Sequence, residues 1–147
     1  MAEERNYQEF VQAIEQLLRN TNDVVKRRGR EILDEFNITP PQFVALQVLT
    51  QEGEMTIGEL SEKLYLACST VTDLVDRMEK NSLLERYRDE NDRRIVRIRV
   101  KEKGHHLISE VIAARQAYLA KTLQDLTEAE QQRLISALQQ LNARMDS

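Results

Sequence analysis

Apolar residues recur at helical spacing over most of the chain. The first such segment runs from about Glu4 to about Phe36 and predicts one long amphipathic helix. Its apolar positions are Tyr7, Phe10, Val11, Ile14, Leu17, Leu18, Val24 and Val25. A second helix is expected from Thr39 to about Thr50, because Thr39, two prolines and then Gln42 are typical of a capping box at a helix start. Its expected core positions are Phe43, Leu46, Val48 and Leu49.

Two shorter helices follow, separated by a tight turn. Thr56 and Glu59 have the spacing of a capping box and predict a short helix with Ile57, Leu60 and Leu64 on one side. After the three residues YLA, a further helix is expected to begin near Cys68. Its apolar set is Val71, Leu74, Val75 and Met78. A short helix, a tight turn and a longer helix are the layout of a DNA-binding helix-turn-helix.

From Leu84 the apolar period changes from 3.6 residues to 2. Val96, Ile98 and Val100 alternate with Arg97 and Arg99, which predicts a strand with one buried face. The preceding stretch LERYR is expected to pair with this strand, and DENDRR would then form the tip. The result is a two-stranded hairpin with a basic, exposed turn.

The helical period returns after the hairpin and persists to the end of the chain. One helix is expected from Lys103 to Leu126, and a last one from the capping box at Thr127 and Glu130 to about Met145. A length of 147 residues with only four Gly and two Pro predicts one mainly α domain over residues 1–147.

The chain carries few features of other protein classes. A single cysteine excludes an intrachain disulfide, and no segment approaches the roughly 20 apolar residues of a membrane span. We therefore expect a cytoplasmic protein with no cofactor and no membrane contact. No nucleophile and base lie at motif spacing, so catalysis is not expected.

Charge is unevenly distributed. The whole chain has a net charge of −4, yet residues 77–103 hold ten Lys and Arg against six Asp and Glu. Five of these arginines lie in the segment RDENDRRIVRIRV. This concentration of positive charge favours a polyanionic partner despite the acidic total.

The helix that begins near Cys68 has a polar face suited to DNA. If its apolar set faces the core, a rotation of about 100° per residue turns the remaining side chains outward. These are Ser69, Thr72, Asp73, Asp76 and Lys80, with Thr70 and Arg77 on the flank. Small hydroxyls and basic groups suit the major groove. A solvated helical hairpin is the alternative, but the basic hairpin that follows favours a winged helix.

The motifs TPPQFVALQVL, TIGELSEKL, STVTDLVDRMEKNSLLER and DENDRRIVRIRVKEKG resemble the multiple-antibiotic-resistance regulator (MarR) family over nearly the whole chain. The resemblance implies a winged helix-turn-helix lobe at about residues 39–101. It also implies dimerisation through helices at about residues 4–36 and 102–145. Members of this family usually repress transcription as homodimers bound to pseudo-palindromic operators on double-stranded DNA. Many bind a small-molecule effector, and the sequence does not identify one here.

The resemblance also implies roles for individual residues. Ser69, Thr70 and Thr72 match recognition-helix positions, and Asp92 and Arg94 match the wing motif whose arginine enters the minor groove. All residues expected at the DNA are Ser69, Thr70, Thr72, Asp73, Arg77, Lys80, Arg93 and Arg94.

Asp92 is expected to act beside the DNA rather than on it, because a carboxylate is repelled by phosphates. One interpretation is that Asp92 braces the wing by pairing with Arg77. The other is that Asp92 caps the turn. The chain also departs from the family pattern at Ala67, where many members have a capping Ser, and at Val100 and Lys101, where Leu and Thr are usual.

Sensing residues are less well defined. A lone Cys68 is more typical of packing than of redox sensing. His105 and His106 diverge by about 100° on a helix, so no metal site is expected. Four aromatic residues line either a ligand cavity or the core: Phe36, Phe43, Tyr65 and Tyr118.

A rival function remains open. Asp73 and Asp76 on the reading face, together with the acidic bulk of the chain, would also suit a winged helix that docks onto another protein. A hydrolase would require an assembled catalytic site that the sequence does not indicate.

Overall fold

A computed structural model of the chain describes residues 1–146. Six helices and one two-stranded antiparallel sheet make up this part, which confirms the mainly α winged-helix prediction. In chain order the elements are α1 (Ala2–Glu35), α2 (Pro40–Glu52), α3 (Ile57–Leu64), α4 (Cys68–Lys80), β1 (Leu84–Arg88), β2 (Val96–Val100), α5 (Glu102–Thr122) and α6 (Glu128–Met145).

Local capping explains where several helices begin. Thr39 accepts the N–H of Gln42 while the Gln42 side chain accepts the N–H of Thr39, so the predicted capping box is present at α2. The reciprocal box of Thr127 and Glu130 is present at α6. At α3, Thr56 accepts the N–H of Glu59. These side chains satisfy amides that a helix start leaves without a partner.

The hairpin is held to the helical lobe by a further strand pairing. β1 and β2 run antiparallel with Leu84 opposite Val100 and Arg88 opposite Val96. Met55, in the loop between α2 and α3, forms an isolated antiparallel bridge with Ile98 through two backbone hydrogen bonds of 2.7 and 3.3 Å. The sequence pattern did not indicate this bridge, which anchors the base of the hairpin.

The core lies among α2, α3, α4 and the hairpin. Its largest fully buried side chains are Phe43, Leu46, Leu60, Met78, Leu84, Ile98, Val71, Val75 and Val111. Leu74 and Val48, both predicted to be buried, are only half-buried. Among the aromatic residues considered for a ligand cavity, Phe43 is in this core and Tyr65 is 94% exposed, so these two do not share one lining.

The start of α5 packs closely against the chain between α4 and β1. The N–H of Lys101 donates to the carbonyl of Leu83 at 2.9 Å. At Gly104 a Cβ atom would meet that same carbonyl and would lie 2.6 Å from Cγ1 of Val100. Glycine is therefore required at this position by the close approach of the backbone.

The chain divides into two compact units, Met1–Val111 and the part from Ile112 onward. In the second unit, the Gln131 side chain donates to the carbonyls of Leu123 and Leu126 and so holds the turn that leads into α6. The prediction of one domain over residues 1–147 stays a prediction.

The long helices leave many apolar side chains in solvent. All eight predicted apolar positions of α1 are between 37% and 69% exposed. Along Glu128–Met145, α6 contains no buried residue. Large exposed apolar patches of this kind usually mark an interaction surface.

Candidate nucleic-acid interface

α4 presents one face to the core and the opposite face to solvent. Val71, Val75 and Met78 are completely buried and determine how the helix is rotated. With the helix held this way, the other face is exposed at five of the seven predicted positions, while Thr72 and Asp76 are half-buried. It carries Ser69, Thr70, Asp73, Arg77 and Lys80.

The hydroxyl groups near the start of α4 differ in the hydrogen bonds that they can make with another molecule. Thr72 donates its only hydroxyl proton to the carbonyl of Cys68 at 2.8 Å, so its oxygen can only accept from another molecule. The side chains of Ser69 and Thr70 make no hydrogen bond within residues 1–146. Ala67 occupies the N-cap and supplies no side-chain acceptor, as the sequence suggested.

Cys68 lies at the exposed first turn of α4. Its sulfur is 3.3 Å from the hydroxyl oxygen of Ser61, which is buried in α3. This contact gives Cys68 a packing role between the two helices of the helix-turn-helix. Redox sensing, the alternative role for Cys68, stays a hypothesis.

Arg86 in β1 connects the wing to α4. Its guanidinium donates to Asp76 at 2.5 Å and to Glu79 at 2.9 Å, and its backbone N–H donates to the second oxygen of Glu79 at 2.9 Å. The hydrogen bond that Arg86 donates to Asp76, followed by the charge of Glu79, raises the pKa of Arg86 above its ordinary value. The helix and the first wing strand are therefore held together by a partly buried ionic network.

Sequence reasoning did not identify this connection. Asp76 was assigned to the outward reading face, but the structure turns its carboxylate toward Arg86. The available signal was the pair of acids three residues apart on α4, Asp76 and Glu79, followed by an arginine in the next strand. Arg86 occupies the bracing role that was expected of Arg77.

The wing tip is organised by Asp92, but with a different partner from the one expected. Asp92 accepts from Nε and Nη2 of Arg94, both at 3.0 Å, and from the backbone N–H of Arg94 at 3.1 Å. These bonds from Arg94 hold the pKa of the Asp92 carboxyl below its usual range. The expected pair with Arg77 is wrong, because Arg94 lies two residues away in the same turn. The turn-capping interpretation of Asp92 is confirmed.

Two other arginines of the wing form ion pairs within the hairpin. Asp89 accepts from Nε of Arg97 at 2.7 Å, which is the main reason that the pKa of Asp89 is lowered. Arg99 pairs with Glu85 at 2.7 Å and lies over the ring of Tyr87, 4.4 Å from its centroid. Arg97 and Arg99 therefore stabilise the hairpin, and each of their charges is paired with an acid of the hairpin.

The remaining cations define the exposed positive surface. Arg77, Lys80 and Arg93 are exposed and make no ion pair within residues 1–146. Arg88, which was not among the predicted DNA residues, donates to the carbonyl of Arg93 at 2.8 Å and also lacks an acidic partner in that range. Arg94 is paired with Asp92, yet its side chain is 90% exposed. Positive charge is thus available on α4 and at the wing tip.

Comparison with known proteins identifies this arrangement. The MarR family model matches residues 38–96, the segment that contains α2 to the start of β2. A solved MarR family protein from Bacillus stearothermophilus is 51% identical and superimposes with a TM-score of 0.82 over 95% of this chain and 98% of its own. The chain belongs to the MarR family. The MarR resemblance expected from the sequence is confirmed.

Two further relatives are named as regulators of transcription. The HTH-type transcriptional regulator YsmB of Bacillus subtilis (strain 168) is 54% identical over 122 residues, which cover 83% of this chain and 84% of the relative. The transcriptional repressor MprA of Escherichia coli (strain K12) is 30% identical over 132 residues, or 88% of this chain and 70% of the relative. The chain is accordingly a MarR-family transcriptional regulator of the DNA-binding type.

Two further properties concern the described part of this chain. Across residues 1–146, no helix is both long and apolar enough to cross a membrane. In the same range, no three His, Cys, Asp or Glu side chains are grouped as metal ligands. His106 instead lies 3.0 Å from Glu110, one turn further along α5.

Proposed function

We propose that the protein is a homodimeric repressor that binds a pseudo-palindromic operator, with α4 in the major groove and the wing in the minor groove. The observation that carries this proposal is the state of Arg94, which is 90% exposed yet held by two hydrogen bonds to Asp92. A narrow minor groove concentrates negative potential and favours an inserted guanidinium. Because Asp92 already orients the side chain, less conformational entropy is lost on insertion.

The exposed face of α4 supports the major-groove half of the proposal. Hydroxyls near its start and cations further along are the groups that read base edges and contact phosphates. The residues proposed to act there are Ser69, Thr70, Thr72, Asp73, Arg77 and Lys80. At the wing, Arg93 and Arg88 are proposed to contact the backbone phosphates on either side of Arg94.

The network around Arg86 supports simultaneous contact with both grooves. Asp76 and Glu79 lie on α4, while Arg86 lies on the strand that leads to the wing tip. These ion pairs hold the recognition helix and the wing in a fixed relative position before DNA binds. Binding to DNA then does not require a further loss of conformational entropy to order the helix and the wing relative to each other.

The exposed apolar side chains of the long helices support a homodimer. Phe10 and Leu17 on α1 are each 65% exposed, and Leu119 on α5 and Ile135 and Leu138 on α6 are each 48% exposed. Covering such surface contributes roughly 25 cal/mol for each Å² of apolar area removed from water. A two-fold interface also matches the symmetry of a palindromic operator, with half-sites about 10 bp apart.

Repression and location are the remaining parts of the proposal. MprA is a named transcriptional repressor, and its likeness to this chain supports the same direction of control. A cytoplasmic location follows from the proposed DNA partner, since the named relatives are bacterial proteins. We also propose that a small molecule of unspecified chemical class controls the protein by releasing it from the operator.

Selection of genomic fragments by the purified full-length protein tests the proposal. We expect a small set of enriched fragments that share an inverted repeat, and a mass in solution of twice the chain mass of 17.2 kDa. Synthetic duplexes with half-sites spaced by about 10 bp should bind more tightly than duplexes with half a turn added. Failure to retain any fragment at moderate salt would overturn operator binding and would favour docking onto a protein.

A further inference from the structure

Three acidic side chains follow one another along α4 at intervals of three residues: Asp73, Asp76 and Glu79. Arg86 accounts for two of them, since its guanidinium pairs with both Asp76 and Glu79. The Asp73 side chain is exposed and makes no hydrogen bond or ion pair within residues 1–146. Asp73 is therefore the acid of this group whose charge is not neutralised within the described residues.

Asp73 also lies in the middle of the exposed face of α4. Ser69 is one turn before it and Arg77 is one turn after it, and all three are exposed. A separation of four residues corresponds to a rotation of about 40°, so the three side chains form a single stripe. If this face enters a major groove, Asp73 meets base edges rather than solvent.

A carboxylate at that position restricts which bases can be accepted. It has only acceptor atoms, and phosphates and base acceptors repel it. The major groove offers two base donors, the amino groups of cytosine and adenine. In adenine the N7 acceptor lies beside the amino group and disfavours a carboxylate, whereas an acidic side chain suits the N4 amino group of cytosine.

We propose that Asp73 is a specificity-determining residue that selects cytosine at one position in each operator half-site. This inference rests on the proposed operator binding. Cytosine supplies the hydrogen bond that compensates the carboxylate for its lost hydration, and any other base leaves the charge without a partner. Asp73 thereby discriminates mainly by weakening the binding of wrong sequences.

Selection from a random duplex library by the full-length protein tests this inference. The wild-type protein should enrich a motif with cytosine at one symmetric position in each half. Asp73→Ala should enrich the same motif with that position degenerate, and the preference for cytosine measured by competition should fall roughly tenfold. Asp73→Asn should admit adenine there, because an amide pairs with both N6 and N7.

Glu62→Gln is the matched control, since Glu62 is an exposed acid on α3 whose side chain makes no hydrogen bond or ion pair within residues 1–146. This variant should enrich the wild-type motif unchanged. Retention of the full cytosine preference by both Asp73 variants would overturn the inference and leave operator binding intact. Enrichment of no motif by the wild-type protein would overturn both. Equal melting temperatures for the four proteins will establish that folding is not the cause.

Discussion

Glu79 of α4 accepts both the backbone N–H and the Nη1 of Arg86 in β1, each at 2.9 Å. One carboxylate thus holds the strand by its main chain and by its side chain. Because Asp76 also accepts from the same guanidinium, all the acceptors come from the recognition helix. This group of three residues therefore ties the first wing strand directly to α4, in addition to the core packing of the hairpin.

Replacing Glu79 with Ala should destabilise the protein by about 1 kcal/mol and weaken its DNA binding. The loss removes two hydrogen bonds, one of them charge-assisted, and the partial exposure of the pair reduces their contribution. Urea unfolding followed by circular dichroism measures the change. Glu52→Ala, which breaks the exposed ion pair with Lys63, should have less than half the effect. Equal effects from the two variants would contradict a special role for Glu79.

Replacing Arg94 with Ala should weaken operator binding and lower the salt dependence of the affinity. Removal of one cation from the DNA interface reduces the slope of log K against log salt by about 1. Fluorescence anisotropy at several salt concentrations measures that slope. Arg99→Ala is the control, because the Arg99 side chain is stacked on Tyr87 and only 46% exposed, against 90% for Arg94. A slope that stays the same in Arg94→Ala would exclude Arg94 from the interface.

Replacing Val11 with Glu should dissociate the proposed dimer. Val11 lies in the apolar stripe of α1, and a carboxylate buried in a self-complementary interface is costly unless it finds a partner. We expect the dimer Kd from analytical ultracentrifugation to rise roughly tenfold or more.

Val44→Glu provides the matched control for this experiment. Val44 on α2 has the same exposure as Val11, 46%, but it lies outside the long terminal helices. The control protein should keep the wild-type mass. If Val11→Glu also keeps that mass at low concentration, the stripe on α1 does not form the dimer interface.

Replacing Gly104 with Ala should destabilise the fold by about 1–3 kcal/mol, because the added methyl group meets the carbonyl of Leu83 and Cγ1 of Val100. Thermal and urea unfolding both report this change. Gly58→Ala adds the same methyl group in α3, where its nearest neighbour would be Oγ1 of Thr56 at 3.8 Å. That variant should be neutral or slightly stabilised. Similar losses in the two proteins would show that crowding at Gly104 is not the cause.

Much of the fold was predictable because its signals are local. The capping boxes at Thr39 and Thr127 involve residues three positions apart, and the change of apolar period after Leu84 marks the hairpin within a few residues. The outward face of α4 was also predictable, since helix geometry alone relates Ser69 to Asp73. Such features depend on neighbours in the chain and survive in any packing of the helices.

Residue partners in the site were harder to predict. Asp76 has the periodicity of an outward-facing residue, and only the packing of β1 beside α4 brings Arg86 within reach of its carboxylate. Asp92 was expected either to pair with Arg77 or to cap the turn, and the tight conformation of the wing tip pairs it with Arg94 instead.

By itself, the sequence determined the order of the elements, the family and the placing of positive charge between residues 77 and 103. The tertiary structure decided which of those charges are available. Within residues 1–146, Arg86, Arg97 and Arg99 form internal ion pairs, whereas the Asp73 carboxylate forms none. The physical reason is that an ion pair needs two opposite charges within about 4 Å of each other. Folding, rather than the order of residues in the chain, decides which charges come that close.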